Sequence, residues 1–330
     1  MPETNAVTEP MTYQTSDIHH ASGTVMGGPW QIYHVPVNGV SCEAAANAAL
    51  TALQRVDAQM SNYSSESDLM RVNAGPLQHF LPIPQDMHTV MACADRYARV
   101  SEGALNIALG RLVNVWGFGP DATPDLRPEA ADTRAQAAQA ALGSFALRAN
   151  PPAVFKHADI ALDLCALAKG FAIDQAARAV QALGVTHFMI EAAGEIIAGG
   201  HRPDGTHWTV GLELPVPSED RIVFDDIALH DMAIATTGGH RNCRHIEGRD
   251  VSHTINPQTG APLEGDLLSV TVLHSSCMDA DALATVLYVL GDEKGPKFAD
   301  DNDVAALFLI REPQGLREIR SEAFVAKTRQ

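Results

Sequence analysis

The sequence predicts an α+β protein: a single large mixed domain in which antiparallel-rich sheets are flanked by helices. Helical and strand-like segments are mixed along the chain, and in the second half strands follow strands without the helical crossovers that a parallel sheet requires. There is also no internal repeat and no Gly/Ser-rich linker that would divide the 330 residues cleanly. These observations favour one α+β domain over a doubly wound sheet.

The N-terminal elements follow from composition and spacing. Residues 1–22 are polar and are expected to form a disordered leader, which leaves residues 23–330 for the domain. A first strand is predicted at residues 30–35. Ser41 is the expected N-cap of the next helix because apolar residues recur behind it at helical spacing. These residues are Ala46, Leu50, Leu53, Val56 and Met60.

Further helices and strands are predicted along the rest of the chain. Periodicity and alanine content indicate helices through residues 87–98, 129–142 and 167–184. Another helix is expected at about residues 278–290, with Gly291 behind it. The remaining apolar runs are predicted strands at residues 187–192, 195–198, 207–214, 227–235, 268–273 and 304–310.

The charge of the chain limits the ligands it can bind. Forty acidic and 23 basic residues give a formal net charge of −17. Phosphate backbones repel such a chain, so nucleic-acid binding is not expected. A pyrophosphate ligand would need a local positive element, such as a metal ion, a lysine or a helix N-terminus. No run of 18 apolar residues occurs, so no transmembrane segment is predicted.

The cysteines and the N-terminal sequence indicate the cellular compartment in which the protein is expected. The five cysteines are scattered and form no C-x-x-C pair, so their spacing indicates neither a zinc site nor a disulfide framework. They are expected to be thiols in a reducing compartment. The N-terminus has no charged region followed by an apolar core and no lipobox, which predicts a cytoplasmic protein. A true start upstream would make a periplasmic or membrane-anchored protein the alternative.

Residues 276–285, S-C-M-D-A-D-A-L-A-T, are the most informative segment because a strand leads into a helix there. Asp281 and Thr285 are four residues apart and therefore share one helical face. Carboxylate and hydroxyl oxygens are hard ligands that suit Mg²⁺. A structural interpretation is also open, in which the aspartate complements the helix dipole and the threonine bonds back to a carbonyl. These two residues alone favour the structural interpretation.

Two other segments carry polar groups beside turns. Asp163 closes a strand, and Lys169 lies in the first turn of the following helix, where backbone N–H groups and an ammonium can hold phosphate. The alternative makes Asp163 a cap and Lys169 an ordinary surface residue. His253 precedes an N-P-Q-T-G turn and can approach a ligand, although a lone histidine among 14 is more often structural.

Together these segments resemble the FAD:protein FMN transferases, the ApbE-like family. The resemblance extends from about Met26 to Leu290, with its segments in the family's order, and implies an ApbE-like, T-fold-related architecture. The matching segments are M-G-G at 26–28, M-S-N-Y at 60–63, S-D-L-M-R-V-N at 67–73, S-E-G-A at 101–104 with V-N-V-W-G-F-G at 113–119, D-L-C-A-L-A-K-G-F-A-I-D at 163–174, A-G-E-I at 193–196, W-T-V-G-L-E at 208–213 and A-D-A-L-A-T at 280–285.

The resemblance implies an activity and roles for individual residues. The activity is Mg²⁺-dependent attachment of FMN from FAD to a Ser or Thr of an acceptor flavoprotein, with release of AMP. Asp281, Thr285 and the backbone carbonyl of Ala166 would hold Mg²⁺ on the FAD pyrophosphate. His253 and Asp281 would be catalytic, with His253 as proton acceptor for the incoming hydroxyl. The residues that would line the FAD site are Met26, Tyr63, Ala104, Asp163, Lys169, Thr237 and Ile255.

The chain departs from the family pattern at two positions where an aspartate is expected. Asn106 and Asn256 preserve the shape of aspartate but remove a charge and a potential proton acceptor. Two alternatives therefore stand beside the transferase. One is a Mg²⁺-dependent FAD pyrophosphatase that yields FMN and AMP, and the other is an FAD-binding protein whose turnover these asparagines weaken.

Overall fold

The computed structural model describes residues 17–120, 128–215, 222–239, 243–246 and 249–329. The helices of these residues are α1 (Cys42–Met60), α2 (Asp68–Ala74), α3 (Gln85–Val100), α4 (Gly110–Val115), α5 (Ala130–Gln139), α6 (Cys165–Gln181), α7 (Cys277–Asp301) and α8 (Glu322–Thr328). The strands are β1 (His19–Val25), β2 (Gly28–His34), β3 (Phe80–Pro82), β4 (Phe145–Ala149), β5 (Pro152–Lys156), β6 (Phe188–Ala192), β7 (Glu195–Gly199), β8 (Trp208–Glu213), β9 (Val223–Leu229), β10 (Met232–Gly238), β11 (Cys243–Ile246), β12 (Arg249–Ser252), β13 (Leu267–His274), β14 (Ala305–Glu312) and β15 (Gly315–Arg320).

One eight-stranded sheet organises the molecule. Its strand order is β1-β2-β6-β7-β10-β13-β14-β15, and every neighbouring pair is antiparallel. Smaller antiparallel sheets are formed by β3-β5-β4, by β8-β9 and by β11-β12. The predicted α+β class with antiparallel-rich sheets and flanking helices is therefore confirmed.

The centre of the large sheet is buried on both faces. On one face, Val272 and Phe308 pack in a cluster with Leu287 of α7. On the other, Leu307 and Leu309 pack with Trp208 of β8 and with residues of β9 and α8. Because both faces are covered, six consecutive residues are buried in each of β13 and β14; those of β14 are all apolar, whereas those of β13 include Ser269 and Thr271.

Side-chain caps set where the long helices begin. Ser41 Oγ accepts a hydrogen bond from Ala44 N at 3.0 Å, so the predicted cap of α1 is confirmed. Ser276 Oγ does the same for Asp279 N at 3.2 Å at the start of α7. Both serines satisfy an N–H group that has no partner within its own helix.

Three predictions require correction. Residues 19–22, assigned to the leader, belong to β1 and pair with β2; their polar composition hid an edge strand with few buried side chains. Residues 1–16 of the predicted leader lie outside the described residues. The predicted strand 227–235 is two strands, because a turn with φ 47° at Asp231 separates β9 from β10. The helix predicted to end at Leu290 continues to Asp301 beyond a kink at Gly291, where φ is 80°.

Several elements carried too little signal to be predicted. The hairpin strand β15 is largely exposed and polar, and the strands of the β3-β5-β4 sheet are three to five residues long. Among the described helices, none is both long and apolar enough to cross a membrane.

Candidate active site

A cavity of about 1100 Å³ lies beside the N-terminal turns of α6 and α7. Its wall includes residues from the β1–β2 turn at Met26 and from the third turn of α7 at Thr285. All eleven site residues predicted from the sequence line it: Met26, Tyr63, Ala104, Asp163, Ala166, Lys169, Thr237, His253, Ile255, Asp281 and Thr285. The fold thus brings together positions that are up to 259 residues apart in the chain.

Asp281 and Thr285 lie on the same face of α7, as their spacing predicts. Asp281 is 3% exposed and accepts a hydrogen bond from the backbone N–H of Gly170 at 3.3 Å. Thr285 Oγ1 lies 3.3 Å from Thr237 Oγ1 on β10. A carboxylate and two hydroxyls therefore converge on one part of the cavity wall.

The ammonium of Lys169 lies between two buried carboxylates. Its Nζ donates a hydrogen bond to Glu195 Oε1 and lies 3.4 Å from each carboxylate oxygen of Asp281. Burial acts to lower the pKa of Lys169, but the charges of Asp281 and Glu195 outweigh it and the pKa is raised. Lys169 is therefore a permanent positive charge at the cavity rather than an ordinary surface residue.

Burial disfavours the charged form of both carboxyl groups. Burial raises the pKa of Glu195 to about 7, although the Lys169 charge opposes the shift, and burial also raises the pKa of Asp281. Glu195 was not predicted as a site residue. Its place in the A-G-E-I segment was the available signal, but nothing in that segment shows that the side chain meets Lys169.

The residues present fit a divalent cation. Glu195 Oε2 is buried and has no hydrogen-bond partner, which leaves a polar oxygen to be satisfied. The side-chain donors are the oxygens of Asp281 and Thr285, which are hard ligands of the kind Mg²⁺ prefers. In a regular helix the Ala166 carbonyl accepts a hydrogen bond from the N–H of Gly170. Here the same N–H donates to Asp281, so the Ala166 carbonyl does not have this donor to itself.

Close packing of α6 on α7 makes this geometry possible. A Cβ on Gly170 would lie 2.3 Å from the carbonyl oxygen of Cys277, so only glycine allows the two helices to approach this closely. Asp174, one turn further along α6, accepts hydrogen bonds from Ser276 Oγ at 2.8 Å, Cys277 N at 2.7 Å and Met278 N at 3.1 Å. Asp174 therefore fixes the start of the helix that carries Asp281. Sequence reasoning assigned it no role.

The rim of the cavity is apolar and aromatic. Tyr63 is 70% exposed, and its hydroxyl donates to the carbonyl of Phe118 at 3.1 Å, so the ring is held at the opening. The His253 ring meets Phe118 edge-on with a centroid distance of 6.3 Å. Asp163, which also lines the cavity, accepts a hydrogen bond through Oδ1 from the backbone N–H of Cys165, the first residue of α6, at 2.8 Å.

Comparison with known proteins identifies the family. A model of the ApbE family matches residues 26–308. The chain belongs to the ApbE family. A Vibrio cholerae protein named FAD:protein FMN transferase is 34% identical over 306 residues, 92% of this chain and 91% of the relative. A protein of the same name from Haemophilus influenzae is 33% identical over 309 residues, 92% and 89% of the two chains.

Solved structures of the family share the fold. The Pseudomonas stutzeri flavinyl transferase ApbE, in its apo form, matches with a TM-score of 0.86 and 33% identity and covers 94% of this chain and 96% of its own. The flavin transferase ApbE from Vibrio cholerae also matches with a TM-score of 0.86 and 33% identity, over 96% and 99% of the two chains. The ApbE-like architecture implied by the sequence is confirmed.

The two asparagines of this ApbE-family protein differ in their surroundings. Asn106 lines the cavity, donates through Nδ2 to the carbonyl of Ala140 at 2.8 Å and accepts through Oδ1 from Ala108 N at 2.8 Å. Asn256 Oδ1 accepts from Gln258 N at 2.8 Å and Thr259 N at 3.3 Å. The first site uses the amide as donor and acceptor, whereas the second uses only an acceptor that aspartate also provides.

Proposed function

We propose that this ApbE-family protein is a Mg²⁺-dependent FAD:protein FMN transferase. It takes FAD as substrate, attaches the FMN half to a Ser or Thr of an acceptor flavoprotein, and releases AMP. The observation that carries the proposal is the meeting of Lys169, Glu195 and Asp281 at a cavity of about 1100 Å³. The names of the relatives support the same chemistry.

The size and lining of the cavity suit a dinucleotide. Small-molecule pockets commonly measure roughly 300–1000 Å³, so about 1100 Å³ accommodates a ligand as large as FAD. The exposed ring of Tyr63 offers a stacking surface at the rim for one of the two ring systems of FAD. The remaining proposed FAD contacts are Met26, Ala104, Asp163, Lys169, Thr237 and Ile255.

The charged groups explain how a chain of net charge −17 can hold a pyrophosphate. Lys169 supplies a fixed positive charge. Mg²⁺ held by Asp281, Thr285 and the Ala166 carbonyl would offset the diphosphate charge and polarise the phosphorus that is attacked. Glu195 holds Lys169 in place through its Oε1. The N–H of Gly170 orients the Asp281 carboxylate.

The transfer exchanges one phosphorus–oxygen bond for another. The acceptor hydroxyl oxygen bonds to the FMN phosphorus, and the bond from that phosphorus to the bridging oxygen of the diphosphate breaks. AMP leaves with the bonding electron pair. His253 lies at the cavity wall beside Phe118 and accepts the hydroxyl proton. A neutral imidazole can take this proton near neutral pH.

A transfer assay with matched variants tests the proposal. The purified chain is incubated with FAD, Mg²⁺ and an acceptor domain that carries a Ser or Thr site, and flavin fluorescence of the acceptor is measured after denaturing electrophoresis. D281N is expected to lower the rate on the order of 100-fold or more, because metal-assisted charge stabilisation contributes several kcal/mol. The control D301N changes an exposed aspartate of the same helix and is expected to retain the rate.

Each unexpected result has a defined meaning. Equal rates for D281N and the wild type would refute the role of Asp281. AMP and free FMN without labelled acceptor would show a pyrophosphatase, with water in place of the protein hydroxyl. FAD binding without AMP release would show an FAD-binding protein that does not turn over. The predicted cytoplasmic location stays a prediction.

A further inference from the structure

A second cluster of metal-ligand side chains lies where the edge hairpin β1–β2 meets the start of α1. His19 and His34 are directly opposite each other in the antiparallel pair, and Cys42 is the first residue of α1. One ligand atom from each of the three side chains lies within 4.8 Å of the other two. The two imidazole rings meet edge-on with a centroid distance of 5.0 Å.

This cluster is separate from the proposed FAD site. The β1–β2 turn at Met26 and Gly27 lines the cavity, whereas His19 and His34 lie at the other end of the same hairpin. Met26 is seven positions after His19 along extended chain, which corresponds to roughly 23 Å at about 3.3 Å per residue. None of the three cluster residues lines the cavity among the residues described.

The ring nitrogens of the cluster are available as ligands. His34 is fully buried, and its Nδ1 lies 3.1 Å from the carbonyl oxygen of Val35, which places the proton on Nδ1. Its Nε2 therefore carries a lone pair, and this atom is buried without a hydrogen-bond partner. Nδ1 of His19 is likewise buried and unpartnered. Buried polar atoms are normally satisfied, so two such nitrogens beside a thiol call for a ligand.

The hydrogen bond from His34 to the Val35 carbonyl orients the ring as in a metal-binding histidine. Histidines that bind metals almost always donate their other ring N–H to a carbonyl, a carboxylate or water, which fixes the tautomer and the ring orientation. His34 already has this arrangement. The Cys42 thiol donates a weak hydrogen bond to the carbonyl oxygen of His20, with Sγ 3.7 Å from that oxygen. The thiol would lose this bond when it loses its proton to bind a metal.

We propose that His19, His34 and Cys42 bind Zn²⁺ or a similar divalent transition metal, with water as the fourth ligand. Two imidazoles and a thiolate form a borderline-soft ligand set that suits zinc and disfavours Mg²⁺. Binding releases the Cys42 thiol proton to solvent and changes no oxidation state. The ion ties the edge hairpin to the first turn of α1.

Cobalt(II) provides a direct test because a thiolate bound to cobalt gives a near-ultraviolet charge-transfer absorption band. The full chain, freed of metal by a chelator under reducing conditions, is titrated with Co²⁺ in saturating Mg²⁺. One equivalent is expected to produce the band, and Zn²⁺ is expected to remove it by displacement. C42S is expected to lack the band. C165S removes the cavity cysteine and is expected to keep it.

A histidine variant and a stability measurement complete the test. H34Q should weaken Co²⁺ binding by more than the roughly 10–100-fold that loss of an outer-shell partner costs. Zn²⁺ should raise the unfolding temperature of the wild type but not that of C42S, since only a ligand of the folded state stabilises it. Circular dichroism and FAD binding verify that both variants are folded.

The opposite results would overturn the site. A band that survives C42S and disappears in C165S would place the metal in the FAD cavity. A band that is absent from the wild type at one equivalent would show that the cluster binds no such ion. Flavin transfer is measured in a separate assay, so the zinc site and the proposed transferase activity can fail independently.

Discussion

Exchanging each of the two asparagines for aspartate separates their roles. N106D and N256D make the same change in charge, but the neighbouring groups differ. In N106D a carboxylate oxygen faces the Ala140 carbonyl, to which Asn106 Nδ2 now donates at 2.8 Å. In N256D both backbone N–H groups that bond to Oδ1 keep their acceptor. We therefore expect N106D to destabilise the protein and N256D to leave it unchanged.

The expected size of the effect follows from the lost hydrogen bond. Leaving the Ala140 carbonyl without a donor costs about 2 kcal/mol. An unfolding entropy of about 2.1 cal/mol/K per residue over 330 residues amounts to about 0.7 kcal/mol/K. N106D should thus lower the unfolding temperature by about 3 °C. N256D should change the unfolding free energy by no more than about 0.5 kcal/mol, as most surface substitutions do.

Differential scanning fluorimetry and the transfer assay measure both outcomes. Asn256 is not among the described residues that line the cavity, so N256D is also expected to leave the transfer rate unchanged. A more stable N106D would refute the assigned hydrogen bonds. A large gain in rate for N256D would show that a carboxylate is missing at that position, as the hypothesis of a weakened FAD-binding protein requires.

Three further predictions concern single residues. D174N should lower the unfolding free energy by roughly 1–3 kcal/mol, because an amide cannot accept all three hydrogen bonds that Asp174 receives from the start of α7. Urea denaturation measures this change, and D301N serves as a control that is expected to keep the wild-type stability. Y63A should raise the FAD dissociation constant roughly 3–10-fold in calorimetry through lost stacking, while Y63F retains it. The pKa of Asp279 is lowered below its usual 3.8, because hydrogen bonds from Tyr97 and Ser276 outweigh the opposing effect of burial. This stabilisation is present above pH 3.8 and lost as the pH falls through the folded pKa, so D279N should show a shallower acid-side loss of unfolding temperature than the wild type.

The sequence predicted local features well where the physical cause is local. The Ser41 cap and the shared helical face of Asp281 and Thr285 depend only on spacing along the chain, and both are found. The strand boundary at Asp231 was missed because its turn depends on a left-handed backbone conformation of a non-glycine residue. The edge strand β1 was missed because pairing with β2, rather than apolar content, forms it.

Contacts between distant segments could not be predicted from spacing. Glu195 and Lys169 meet only because β7 and α6 pack together, and Asp174 caps a helix that begins about 100 residues later. The absence of a C-x-x-C pair indicated no zinc site, yet the fold places Cys42 beside two histidines from a hairpin. The resemblance to the ApbE-like family therefore gave the members of the cavity, whereas their hydrogen-bond partners required the fold.

Acceptor labelling and AMP release, measured together, test the proposed transfer most directly. Intact mass spectrometry of an acceptor domain gives the FMN attached, and chromatography of the same reaction gives the AMP released. The proposal predicts one AMP for each FMN bound to the acceptor, with both products requiring Mg²⁺ and the carboxylate of Asp281. AMP accumulating with free FMN while the acceptor mass stays unchanged would contradict it.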